Sequence, residues 1–137
     1  MIELVAVLVI LGIIAAVVAV RLYSTSVYDL VSQMEVVKAH LRLAQSRAMS
    51  TSSSWGINFG SSTTYYLFQG DGSTTPVQII GEDNATVNLT TKKSALIISS
   101  APLRITFNAY GSPGATTVTI ATSGGNITVT KNTGFIP

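Results

Sequence analysis

The chain has 137 residues, of which 47% are hydrophobic and only 10% charged, with no cysteine and a formal net charge of +2. The lack of cysteine excludes disulfides and thiolate metal sites, and so weak a basic bias does not by itself call for a nucleic-acid partner. Beyond the apolar start about 115 residues remain, enough for one small domain, and their richness in Ser, Thr, Gly and Asn predicts a neutral, hydroxyl-covered surface.

Residues 1–20, MIELVAVLVILGIIAAVVAV, form an apolar run whose single charge is Glu3. At about 1.5 Å per residue such a helix matches a hydrocarbon core of about 30 Å. A carboxylate within it costs about 2.5 to 3.5 kcal/mol on insertion scales, so its presence points to a use, namely pairing with a positive charge on another subunit. A secretory signal peptide would place basic residues before the apolar stretch and small residues behind it, whereas here an acid precedes and Val20-Arg21-Leu22-Tyr23 follows. A simple signal anchor leaves Glu3 without a role. A buried core helix, apolar on every face, does not suit so small a globule.

The string from Ile2 to Ala16, with its acid, Gly12 nine residues on and the pair Ala15-Ala16, resembles the N-terminal segment of the type IV pilin and type II secretion pseudopilin superfamily. In that family the acid is the fifth residue of the mature protein, behind an N-methylated residue. Here Glu3 is third, so the resemblance implies two further residues ahead of Met1 in the mature form, or a different processing, and a leader removed by a prepilin peptidase. Val20 stands where the family often has a kinking proline. The backbone hydrogen bonds can therefore continue from Ala19 to Leu22. Gly12 is the weak point, costing about 1 kcal/mol relative to alanine.

From Arg21 to about Ser50 the helix continues but becomes amphipathic. Val27, Leu30, Val31, Met34, Val37, Leu41, Ala44 and Ala48 recur at steps of three and four, the pattern of one apolar stripe. With residues 1–20 this predicts a rod of about 75 Å. The hydroxyl run Ser50 to Ser54 ends it, because such side chains compete for backbone hydrogen bonds.

From Trp55 the period changes to two. Strands are predicted at 55–59, 64–69, 77–80, 86–90, 95–99, 103–108, 116–122 and 126–131, with turns at Asp71-Gly72 and Gly124-Gly125. The fold class is α+β: a long N-terminal α-helix over about residues 1–50, packed on a C-terminal antiparallel β-sheet or small β-sandwich. Three segments are expected: a membrane and filament-core helix at 1–23, an amphipathic helix at 24–50 and a β-rich head at 51–137.

The segments at 41–49, 105–111 and 127–134, with Trp55 in the first strand, are also similar to the pseudopilin class that includes minor pilins of DNA uptake. Some DNA-binding members carry arginines beside the last glycine, where this chain has Phe135-Ile136-Pro137. That departure weighs against DNA as a partner.

No arrangement for catalysis or for a cofactor is evident. The single histidine, His40, has no acid or nucleophile near it in sequence, which favours a solvated or capping role. Asp71, Glu82 and Asp83 lack the regular alternation of oxygen ligands that a calcium loop needs. Arg42 and Arg47 suit the negative end of the helix dipole, and Lys92-Lys93 an exposed turn. Asn84, Asn88 and Asn126 each begin a glycosylation sequon.

The sequence thus predicts a structural subunit, not an enzyme, with Glu3 and Gly12 as its assembly residues. It waits in the cytoplasmic membrane, then enters an extracellular or periplasmic filament of its own copies, and the resemblance implies pilus or secretion machinery as partners. Two alternatives stand beside this: a minor subunit that initiates or tips a filament and binds DNA or secreted cargo, and an anchored surface domain that never polymerises.

Overall fold

The computed structural model describes residues 1–92 and 96–137, with side chains excepted at 21–26. Helix α1 runs unbroken over Ile2–Thr51, through Gly12 and past Val20, as the absence of proline predicts. Ser52, at φ 50°, turns the chain into the left-handed region and stops it. Thr51 secures that end by donating to the Arg47 carbonyl at 2.7 Å and accepting the Trp55 indole N–H at 2.8 Å.

Among the described residues six strands follow: β1 (Trp55–Phe59), β2 (Thr64–Gln69), β3 (Thr86–Asn88), β4 (Leu103–Phe107), β5 (Val118–Thr122) and β6 (Gly125–Val129). The first four form an antiparallel sheet in the order β3-β2-β1-β4, and β5 and β6 make a separate hairpin. Alternation does the sorting. Trp55, Ile57, Phe59, Tyr65, Leu67, Ile105 and Phe107 are buried in one core with Met34, Val37, Leu41, Ala44 and Ala48 of the helix. Ile120, Ile127 and Val129 of the hairpin join them. At about 1.5 to 3 kcal/mol per large apolar side chain, this burial holds the head on the second half of α1.

On the other face of the sheet, Gly56 lies between Phe68 and Thr106. The Phe68 ring is fully buried there beneath the Arg104 guanidinium, 3.6 Å from its centroid, and Arg104 donates to the Ser73 carbonyl at 2.8 Å.

Three expected strands come out differently. Residues 77–80 make one bridge, Val77 to Leu67, because Pro76 supplies no donor before it and the chain turns at once, with Glu82 N–H bonding the Ile79 carbonyl. Of 95–99, Ala95 lies outside the described residues and Ile98 makes a single bridge to Thr122. The strand expected over 86–90 stops at Asn88, whose side chain caps a 3-10 turn at Leu89–Thr91.

Candidate functional site

The N-terminal half of α1 is the first candidate. Ile2–Val20, with a mean hydropathy of 3.0, is long and apolar enough to cross a membrane, and none of it is buried by the rest of the chain. Glu3 sits in the first helical turn, where the dipole favours a negative charge. Gly12 leaves open space around itself, as nothing lies within 4 Å of a Cβ placed there. The two residues stand along one bare helix, and the head contributes nothing to either.

In the head, the helix and sheet are joined by polar contacts that the sequence did not disclose. His40 is a correction: it is neither solvated nor a cap. Its Nδ1 lies 2.8 Å from the buried Tyr65 hydroxyl and its Nε2 4.0 Å from Glu82, whose side chain is only 9% exposed and accepts from Lys92 Nζ at 2.8 Å. Lys92 is therefore ion-paired, which raises its pKa, while Lys93 lies outside the described residues. Burial raises the Tyr65 pKa, so its hydroxyl stays protonated where it hydrogen-bonds the His40 ring.

Burial depresses the His40 pKa, Glu82 opposes this and Lys92 adds to it. The unfolded chain therefore binds this proton more readily than the folded one. Stability from the site is intact above the ordinary histidine value of 6.5 and is lost as pH falls below it toward the depressed folded value. The thermal midpoint of the full chain in detergent should fall between pH 7 and pH 5. His40→Gln, which keeps a hydrogen-bonding partner for Tyr65, should flatten that slope; an equal slope in both proteins would assign it to other groups.

A second seam ties the C-terminal segment to α1. Gln45 donates to the carbonyls of Gly111 at 2.9 Å and Thr133 at 3.1 Å, and Arg42 donates to Ile136 at 3.1 Å. Gly111 and Gly134 have φ of 75° and 66° and meet closely, an approach that side chains would block. The dipole reading of the arginines is thereby corrected, since the last turn of α1 carries no base and Arg47 instead lies over the Trp55 ring at 5.1 Å.

Among the described residues no group of three or more His, Cys, Asp or Glu side chains could hold a metal. Asn84 and Asn88 are exposed in and beside the short strand β3, and Asn126 is exposed on β6, so the structure does not gather the three. Asn88 Oδ1 already accepts from the Thr90 N–H and hydroxyl.

No curated protein and no solved structure matches the chain significantly. One family model does, that of Type II transport protein GspH, over residues 33–134. The match begins one residue before Met34, the first buried side chain of α1 among the described residues, and ends at the Gly134 of the seam, so it spans the helix stripe and the head together. With most of its length matched, and with an apolar N-terminal helix ahead of the match, the chain belongs to the GspH family of type II transport proteins, the pseudopilins of type II secretion.

Proposed function

We propose that this pseudopilin is a structural subunit of a helical filament in which the N-terminal helices of many copies pack side by side. The observation that carries the reading is the wholly uncovered helix Ile2–Val20, apolar but for Glu3, attached to a head of the GspH family. Family membership fits a structural part in association with the secretion machinery, and the apolar helix fits membrane anchoring before assembly.

The finer division of labour is proposed with it. Residues 1–23 serve in the membrane and then in the filament core, 24–50 link core to head, and 51–137 form the exposed surface. Prepilin peptidase and the assembly machinery process and extract the subunit, and the filament leaves the cytoplasmic membrane for the periplasm or beyond. Lipid contacts of Val, Leu, Ile and Ala are exchanged for the same side chains of neighbours in a heterologous arrangement that repeats without closing. Glu3 pairs with the N-terminal ammonium of an adjacent copy, and Gly12 lets neighbouring helices approach. Asn84, Asn88 and Asn126 are proposed sugar acceptors.

Electron microscopy of sheared filaments, with mass spectrometry of their subunits, tests this. Filaments composed mainly of this chain are expected, and the same spectra read any mass added at the three asparagines. Trace amounts in filaments would favour the initiating or tip reading, and absence from them the anchored domain.

A further inference from the structure

The face of the sheet turned away from α1 ends in a polar cleft of about 400 Å³, lined by Ser54, Asp71, Thr106, Asn108, Ser112 and Pro113 among others. Strand alternation puts it there. With Trp55, Ile57, Ile105 and Phe107 in the core, Ser54 and Thr106 fall on the opposite face. The Gly70 N–H donates to the Ser54 carbonyl at 2.8 Å, which brings Asp71 alongside.

The other wall is a turn tied at both ends. The Asn108 N–H donates to the Ser112 carbonyl at 3.0 Å, and the Asn132 N–H to the Gly114 carbonyl at 2.8 Å. Asn108 Oδ1 accepts the N–H groups of Tyr110 at 2.9 Å and of Ser112 at 3.0 Å, which fixes the amide and leaves Nδ2 as its donor. A site whose groups are ordered beforehand loses less free energy on binding. Among the described residues, the Asp71 carboxylate, the Ser54 and Thr106 hydroxyls and Asn108 Nδ2 make no side-chain hydrogen bond, so the cleft holds acceptors and donors that only water satisfies.

These groups narrow the ligand. No Lys, Arg or His lines the cleft and Asp71 repels anions, so phosphates, nucleic acid and acidic glycans are disfavoured. A single carboxylate falls short of the roughly six to eight oxygens that calcium takes, with Asn108 Oδ1 already committed. An apolar ligand would leave the carboxylate, amide and hydroxyls unpaired. A neutral sugar satisfies all of them, because its hydroxyls both donate and accept, against a carboxylate that accepts, an amide that donates and hydroxyls that do either. Pro113 offers apolar surface to the C–H groups of a sugar ring, and the volume lies in the range of about 300 to 1,000 Å³ usual for small-ligand sites.

We propose that this cleft binds a neutral saccharide, with Asp71 accepting from sugar hydroxyls and Ser54, Thr106 and Asn108 completing the contacts. The inference goes beyond the filament reading and does not depend on it, since a single subunit carries the whole site.

Nuclear magnetic resonance of the isotope-labelled full chain tests this, in micelles of lauryldimethylamine oxide because a glycoside detergent would compete. Maltose, cellobiose and N,N′-diacetylchitobiose are the probes. At least one should shift the Asn108 side-chain amide and the backbone amides of Ser112 and Gly114, saturating with a dissociation constant of about 1 to 10 mM. Asp71→Ala should weaken that binding at least about tenfold and Thr106→Val about threefold. Asp71 is exposed, so its variant should melt as the parent does. No shift at these amides with any of the three sugars, up to about 100 mM, would overturn the proposal. Equal affinity in the parent and both variants would overturn it by placing the sugar elsewhere. Saturating shifts at the same amides with calcium chloride alone, lost in Asp71→Ala, would overturn it in favour of a cation. Each of these failures leaves the filament reading standing, and absence of the chain from filaments leaves the cleft untouched.

Discussion

Glu3→Ala is expected to leave a folded, membrane-inserted subunit whose recovery in filaments falls at least about tenfold. The head cannot feel the change, because Glu3 lies 31 residues of helix, about 46 Å, from Met34, the first side chain the head encloses. Within Ile2–Val20 it is the sole ionisable side chain, so nothing nearby can replace it. At about 4 Å and an effective dielectric near 20, a carboxylate and a neighbouring ammonium attract by roughly 4 kcal/mol before desolvation. Burial offsets most of that, so the pair selects register more than it adds strength. Removing one partner is a different matter, since the ammonium is then left unpaired among apolar helices, at a cost of about 3 to 5 kcal/mol. Glu3→Gln preserves the shape without the charge and should fail equally. Quantitative mass spectrometry of sheared and membrane fractions, with circular dichroism of the purified subunit, provides the measurement. An unchanged filament fraction would remove the role assigned to the acid.

The parts of this molecule legible in the sequence are those that local pattern determines. A lone acid in an apolar run marks Glu3 without any knowledge of the head. Period two over Trp55–Phe59 and Thr64–Gln69 returns strands with those bounds, because alternate positions, Trp55, Ile57 and Phe59 in one and Tyr65 and Leu67 in the other, are buried. The stripe from Met34 to Ala48 is buried as expected, yet Val27 and Val31 are not. A stripe tells which face of a helix is apolar, not how far its partner extends. His40 could have been placed, standing three residues after Val37 and four before Ala44 on the flank of that stripe. Its partners could not, as Tyr65 and Glu82 arrive from segments whose register no local pattern encodes. The same holds for Arg42 and Ile136, 94 residues apart. The contact proposed for Glu3 requires a second copy, so a single chain does not display it.

Gly56→Ala should destabilise the head by about 3 kcal/mol or more, which for a domain of this size lowers the thermal midpoint by roughly 12 to 24 °C. Gly56 belongs to β1, which is paired on both sides, and a Cβ there would stand 2.6 Å from Phe68 Cζ and 2.9 Å from Thr106 Cα, and collide with the Ile105 carbonyl. Two of those obstacles are backbone of β4. The ring is no freer, being fully buried under Arg104, which is itself bonded to Ser73. Relief therefore requires β4 to move away from β1, which carries Ile105 and Phe107 out of the core they share with the helix. Gly60, just past the same strand, is the control, since a Cβ there meets only Asn58 Nδ2 at 3.7 Å. Gly60→Ala should change stability by less than about 0.5 kcal/mol. Thermal melts of both variants decide between close packing and chance at Gly56. If the two melt alike, the outer face of the sheet has room that the packing of Phe68 on Gly56 denies.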